Sequence, residues 1–343
     1  MISLLPLEEN RQCRADDGSA FAAPDADAHF LTHKPSDPAC DACLRGKLKN
    51  LRKYAGAFSR PTTKFGDIVT MDHCSFYDGG MQYSLNGKVI SLVARDIHTT
   101  FGSVYPADSK STENTIEALQ SFVGDSPVKR FYSDNADELI SAARHLKVAH
   151  EASQQGIPQT NGIIEREVQD MLTGTRTLLV AAGMPGYFWS YAAPCYMHLD
   201  NCVPHPKTGQ TAWYRRYGEE FTGQLIPFGS AVIFKPSPTK YKTDKPLPAG
   251  MYGIFLGYRF APGGAWNGEY LVEDLSYFAD LDFRMDAPGH RKALSPHVTK
   301  QVRRPQGSTI PFPLKKHYDR INFSLEGILA GDTQQEVEFD LPE

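Results

Sequence analysis

No stretch of the 343-residue sequence approaches the ~18–20 consecutive apolar residues needed to cross a bilayer, so no membrane-spanning helix is expected. Six cysteines over that length are too few for a disulfide scaffold, and only Cys40 and Cys43 lie close together, at the spacing of metal ligands. The first ten residues carry Glu8 and Glu9 where a signal peptide needs a basic and then a long apolar stretch. An intracellular, reducing location is therefore expected. No internal repeat at a fixed period is present, which excludes a repeat array. What the chain does contain, 41% hydrophobic, 11% aromatic and 22% charged residues, is the composition of a folded soluble protein rather than a disordered or fibrous one. Its length calls for about two domains plus extensions.

The net charge of −4 conceals an uneven distribution. Residues 1–28 hold six acids and two arginines, and residues 331–343 hold five acids and no base; removing −4 and −5 leaves the middle at +5. Residues 44–66 carry seven bases (Arg45, Lys47, Lys49, Arg52, Lys53, Arg60, Lys64) and no acid, and residues 291–320 carry eight bases against Asp319. Such runs serve as solvated faces or as places to hold a polyanion, since each neutralised phosphate releases counterions.

Hydrophobic periodicity divides the chain into five parts: an acidic leader (1–28), a His/Cys-bearing then basic segment (29–66), a compact α/β region (67–223), a β-rich region (224–290) and a basic then acidic tail (291–343). In the α/β region strands are predicted at 66–72, as a meander within 87–105, at 128–133 and at 147–152, with helices at 112–123, 136–146 and 162–182. The order β-β-β-α-β-α-β-α points to one mixed sheet with helices packed on it. The last helix should bury Ile164, Val168, Met171, Leu172, Leu178 and Leu179, with Asn161 as N-cap and Gly183 and Pro185 ending it. Short alternating runs broken by Pro and Gly over 226–285 read as a small antiparallel barrel.

Three acids fall at element ends: Asp72 at the end of the first strand, Asp134 after the strand 128–133, and Glu165 in the first turn of the long helix. Taken singly, each has a structural role to hand: a turn former, an N-cap before a helix, and a complement to the helix dipole. Taken together, carboxylates that converge repel one another unless cations neutralise them, and their hard oxygens suit Mg²⁺ or Mn²⁺. His73 beside Asp72 reads as a hydrogen-bonded strand-end residue, and Gly263, Gly264 and Gly268 as a turn.

The flanking sequence adds a resemblance. Gly66-Asp67-Ile68-Val69-Thr70-Met71-Asp72, Phe131-Tyr132-Ser133-Asp134-Asn135-Ala136 and Gly156-Ile157-Pro158-Gln159-Thr160-Asn161-Gly162-Ile163-Ile164-Glu165-Arg166 resemble the three acid-bearing segments of the integrase catalytic core of copia-type long-terminal-repeat retrotransposons. The last string is similar to that family's Pro-Gln-x-Asn-Gly-x-x-Glu-Arg signature. Arg95 to His98, Tyr105 to Ser111 and Met184 to Trp189 resemble further parts of the core, and the likeness covers about residues 29–290. It implies an RNase H-like fold with a mixed five-stranded sheet and flanking helices, a small N-terminal zinc module and a C-terminal small β-barrel.

The activity implied is that of a DDE-type polynucleotidyl transferase and endonuclease: DNA 3′-end processing and strand transfer into target DNA. Asp72, Asp134 and Glu165 would hold two Mg²⁺ or Mn²⁺ ions. Lys110, Gln159 and Asn161 are candidate DNA contacts. The partners would be element ends, target DNA and further copies of the chain, with no membrane. The location would be a cytoplasmic particle and then the nucleus, and the chain would be a polyprotein segment. One departure from the family is the 30-residue interval between Asp134 and Glu165, shorter than is habitual. Two alternatives stand beside this reading. One is another RNase H-like nuclease or cut-and-paste transposase, although no fourth acid is evident in the motifs; the other is a catalytically inactive, co-opted DNA-binding protein.

His29, His33, Cys40 and Cys43 form the second constellation. Two thiolates and two imidazoles suit tetrahedral Zn²⁺, and the resemblance implies a His-His-Cys-Cys module, here with only six residues between His33 and Cys40. Surface histidines beside a loose thiol pair are the alternative, and Cys13 or His73 are possible substitutes. The purified chain is expected to carry about one zinc by elemental analysis, lost in Cys40→Ser and Cys43→Ser and on chelation or acidification. Unchanged zinc content in both variants would refute the site.

Overall fold

The computed structural model describes residues 60–77, 84–153, 162–205, 208–237, 241, 246, 248–285, 287, 293–305, 311–325, 337 and 339–341. The zinc candidates His29, His33, Cys40 and Cys43, with Cys13, and the candidate DNA contacts Gln159 and Asn161 lie outside the described residues.

The α/β region forms a five-stranded sheet of order β3-β2-β1-β4-β5. Its strands are β1 Val69–Ser75, β2 Ile90–Asp96, β3 Gly102–Ala107, β4 Arg130–Ser133 and β5 Ala149–Ala152. The first three run antiparallel as a meander, whereas β4 pairs parallel to β1 and β5 parallel to β4. Parallel pairs need crossovers, and helices α1 Thr112–Val123 and α2 Asp137–His145 supply them. The sequence dictates both. Ser111 caps α1 by accepting a hydrogen bond from Asn114 N at 3.2 Å, and Thr115, Ala118, Leu119 and Phe122 give it a buried stripe. Helix α2 has Asp137 and Glu138 in its first turn and Arg144 and His145 in its last, in the sense that complements the peptide dipoles.

Alternation along β1 sorts the two faces of the sheet. Val69 and Met71 join Leu92, Ala94 and Phe131 in a core with α1 and α2. Cys74 joins Val93 and Val104 on the other face, against Ile164 and Met171 of α3 Gly162–Ala182 and Ala193 and Met197 of α4 Trp189–Asn201. Helix α3 ends where expected: Gly183 takes φ 68°, and Met184 N donates to Leu179 O at 2.9 Å. Its buried stripe differs from the predicted one. Glu167 and Thr175 are buried alongside Ile164, Met171 and Leu179, while Val168, Leu172 and Leu178 are only half-buried.

A second, antiparallel sheet has the order β10-β6-β7-β8-β9, formed by β6 Ala231–Phe234, β7 Met251–Ala261, β8 Ala265–Asp274, β9 His297–Thr299 and β10 Val302–Arg303. Its two edge strands are consecutive in sequence, separated only by Lys300 and Gln301. Thr299 and Val302 are three residue steps apart and so at most ~10 Å from each other, which brings the two edges together at this junction. Lys235 N donates to Gln301 O and Thr299 Oγ1 to Lys235 O, both at 3.1 Å, across that junction. The sheet does not fold apart from the helices. Ile226, Phe234, Ile254, Phe255 and Val272 share one buried cluster with Leu179, Ala182, Trp189 and Cys195.

The β7–β8 hairpin also reaches α1. Its tip at Gly263 lies against Gly124, and Arg216, in helix α5 Ala212–Tyr217, donates through Nη2 to Phe122 O at 2.6 Å and Gly263 O at 2.9 Å. The same guanidinium lies over the rings of Phe65 and Phe101 at 4.0 and 4.3 Å. A Cβ at Gly124 would sit 2.5 Å from Gly263 Cα, and its φ of 55° is one that side chains rarely adopt. Gly124→Ala should therefore cost about 1–3 kcal/mol in urea denaturation. A neutral result would show that the hairpin is free to shift.

Candidate acidic site

The parallel register between β1 and β4 pairs Val69 with Phe131 and Thr70 with Tyr132. Carried two residues further, it brings Asp72 level with Asp134, but Asp72 lies midway along β1, which runs on to Ser75, and not at the strand's end as expected, while Asp134 directly follows β4. Alternation turns Asp72 to the face covered by α3, the helix that carries Glu165 in its first turn. The electrostatics agree: the Asp72 carboxyl is pushed up to about 6, by burial first, then by the charge of Asp134 and, more weakly, by Glu165. The His73 backbone amide and the Lys110 ammonium act in the opposite direction.

Asp134 is not the cap of α2. That position belongs to Ala136, which has no side-chain cap, while Asp134 Oδ1 accepts from Ala136 N at 3.3 Å. Glu165 is exposed, and Asp72 and Asp134 are half-buried. Among the described residues no group of three or more Asp, Glu, His or Cys side chains is placed so as to hold a metal ion. Asp72 nevertheless feels the charges of both Asp134 and Glu165.

Helix α3 is fastened to the sheet two residues after Glu165. Glu167, 4% exposed, forms an ion pair with Arg95 of β2 and lies over Gly102, the β3 partner of Arg95 in the register. A side chain at Gly102 would collide with the Glu167 carboxylate. Asn201 of α4 completes the clasp, with Gly102 N donating to Asn201 Oδ1 at 3.0 Å and Asn201 Nδ2 donating to Gly102 O at 2.7 Å. Sequence reasoning missed Glu167 because an acid two residues from a motif acid reads as solvent-facing. The signal available was the i, i+3, i+7 series of 164, 167 and 171.

The rim carries one more acid that the motifs left out. Glu138, in the first turn of α2, pairs with Lys110 at 2.8 Å and lies 3.5 Å from His73 Nδ1. Alternation places His73 on the α1/α2 face, where its Nε2 is 3.3 Å from Thr115 Oγ1. Burial first, then Lys110, hold its imidazole down to about 4, so it is neutral near pH 7. It is a hydrogen-bonded residue as expected, but it sits within β1, opposite Leu92, and not at the strand's end.

No protein-family model matches the chain. Among curated proteins it is similar to the Retrovirus-related Pol polyprotein from transposon RE1 of Arabidopsis thaliana, 29% identical over 172 residues, covering 48% of this chain and 12% of that protein. The polyprotein from transposon RE2 of the same plant matches with the same identity and coverage. That from transposon TNT 1-94 of Nicotiana tabacum is 26% identical over 239 residues, 64% of this chain and 17% of that protein. The homologues of this chain are copia-type retrotransposon Pol polyproteins. It spans less than a fifth of the length of these polyproteins. Among solved structures, the HTLV-2 integrase catalytic core domain in complex with magnesium, in a trimeric form, aligns with 45% of this chain and 98% of its own at 13% identity and a TM-score of 0.34. No helix among the described residues is long and apolar enough to cross a membrane.

A folded chain that holds the Asp72 proton up to about pH 6, against an ordinary value of 3.8, is favoured while that proton is bound and loses stability as pH rises through 6. In a chelating buffer Asp72→Asn should therefore be more stable than wild type by on the order of 2 kcal/mol at about pH 7.5. Below about pH 4 the advantage should vanish, since the wild-type carboxyl is then protonated in both states. Urea denaturation at the two pH values checks this, and an equal difference at both would contradict it.

Proposed function

We propose that the chain is the integrase segment of a retrotransposon polyprotein, and that it carries out divalent-metal-dependent DNA 3′-end processing and strand transfer. The observation that carries this reading is the raised Asp72 carboxyl, which feels both Asp134 and Glu165 although the three residues are far apart in sequence. Such mutual repulsion is relieved by divalent cations, and the oxygen-only donor set suits Mg²⁺ or Mn²⁺. When bound, two such ions activate the attacking water or hydroxyl and stabilise the leaving oxygen.

The chain's own contribution is placement. The β1–β4 pairing holds Asp72 and Asp134 on rigid strands, and the Glu167–Arg95 ion pair holds the start of α3, and with it Glu165, against the same face. Lys110, on the rim, would meet a DNA phosphate, and Gln159 and Asn161, which precede α3 in the sequence, would contact the strand being joined. The curled second sheet is read as the small β-barrel, and His29, His33, Cys40 and Cys43 as the zinc module. Partners under this reading are element-end DNA, target DNA and further copies of the chain, meeting in the nucleus.

A second reading, a ribonuclease H-like nuclease, draws support from Glu138 as a fourth acid near the site. Its carboxylate, however, is engaged by Lys110. End-joining with labelled element-end DNA and Mn²⁺ tests the main reading. Asp134→Asn and Glu165→Gln should lose roughly a hundredfold or more of joining, the scale of removing a preorganised charge from a reacting centre. Equal joining by wild type and both variants would remove the mechanism, and cleavage without joining by wild type would favour the nuclease.

A further inference from the structure

The free edge of the mixed sheet lies against a cavity. β3 ends the strand order, so half of its peptide groups have no strand to pair with. Asp96 N donates to Phe101 O at 2.9 Å, and alternation from that bond turns the peptide groups of residues 103, 105 and 107 toward β2 and those of 102, 104 and 106 outward. Two of these outward positions are closed. Asn201 meets both groups of Gly102, with Oδ1 accepting from N at 3.0 Å and Nδ2 donating to O at 2.7 Å, and Pro106 has no N–H to offer. Val104 keeps an N–H and a C=O side by side. It is 4% exposed, and it lines a cavity of about 360 Å³ between β3, α4 and the end of β7. Buried peptide groups need partners, and for Val104 the cavity is where one can enter.

The other walls define the chemistry of that partner. The rings of Phe101, Tyr105, Trp213, Tyr258 and Phe260 line the cavity, and no Asp, Glu, Lys or Arg is among its lining residues. His198, which also lines it, is packed among four aromatic rings at centroid distances of 5.4, 4.5, 4.2 and 4.8 Å, and burial holds its imidazole neutral down to about 3. An ion would lose its hydration there without gaining a counter-charge, so the occupant is neutral. A cavity of ~150 Å³ takes one benzene ring, which leaves room here for two fused rings. Asn201 supplies the pattern for the polar end: one planar amide satisfies both groups of one edge residue. We propose that this cavity binds a neutral two-ring aromatic molecule carrying an amide, as a carboxamide or a ring lactam, which accepts from Val104 N and donates to Val104 O as Asn201 does at Gly102. The closed positions on either side of Val104 favour such a compact molecule over an added strand. Bound there, it would touch both sheets, β3 of the mixed one and Tyr258 and Phe260 of the other.

The test uses the full chain with two probes, 2-naphthamide for the carboxamides and hypoxanthine for the purine lactams, in calorimetric titration and amide hydrogen exchange. At least one probe should bind. At roughly ten times its Kd it should slow exchange at Val104 by about tenfold, while Gly102, already bonded to Asn201, changes by less than about twofold. 2-Acetylnaphthalene keeps the rings and the C=O but lacks an N–H, and it should bind at least about tenfold more weakly than 2-naphthamide because Val104 O is left unpaired. Ser121→Trp, which puts a large side chain into the cavity from α1, should weaken binding by about tenfold or more, with its fold checked by circular dichroism. Should that variant not fold, the comparison of ligands and the exchange at Val104 decide alone. Binding of 2-naphthamide alone assigns the site to carboxamides, of hypoxanthine alone to purine lactams, and of both to the amide they share. Binding of neither probe, unchanged exchange at Val104, equal binding of the acetyl analogue where 2-naphthamide binds, or full binding by a folded Ser121→Trp would each overturn the proposal.

Discussion

The parallel contact between β1 and β4 rests on two register pairs, yet it decides where negative charge accumulates in this protein. Parallel pairing in this register sets Asp72, midway along β1, level with Asp134, just past β4, regardless of the sequence between them. Partial burial then makes that proximity costly, because desolvation and like charge act on Asp72 in the same direction. Much of the surrounding construction works against this cost. The Arg95–Glu167 pair holds α3 down, Asn201 satisfies both backbone groups of Gly102 beneath it, and Lys110 sets a positive charge at the rim.

The order of elements in the α/β region was legible because its signals are local. Val69 and Met71 alternate, α1 begins at Ser111 and carries its apolar residues at helical spacing, and Gly183 and Pro185 stop the long helix. What sequence could not reveal is non-local. Glu167 reads as an exposed acid until β2 supplies Arg95 and β3 supplies a glycine with room for its carboxylate. Glu138 belongs to no motif, and its importance comes from Lys110 and His73 on two other elements. Residues 297–303 are too short and polar to announce strands, and they become strands because β8 and β6 offer them free edges.

The second sheet is joined to the first through helices. α4 packs on β3 with one side and on β7 with the other, and the aromatic run Tyr187, Phe188 and Trp189 is buried at that join, with Trp189 stacked on Phe76 at 4.1 Å just beyond β1. Trp189 thus ties the end of the acid-bearing strand to the layer below. A displacement of the second sheet would reach β1 through packed rings rather than through a linker.

The glycine-rich tip at 262–264 has a practical corollary. Hairpin ends are ordinarily where a chain accepts foreign sequence, such as an affinity tag, a fluorophore or a fused reporter, because nothing there is packed. In this molecule the tip is wedged against Gly124 and receives hydrogen bonds from Arg216 and Tyr217, so cargo inserted there would pry the β-rich half away from the mixed sheet.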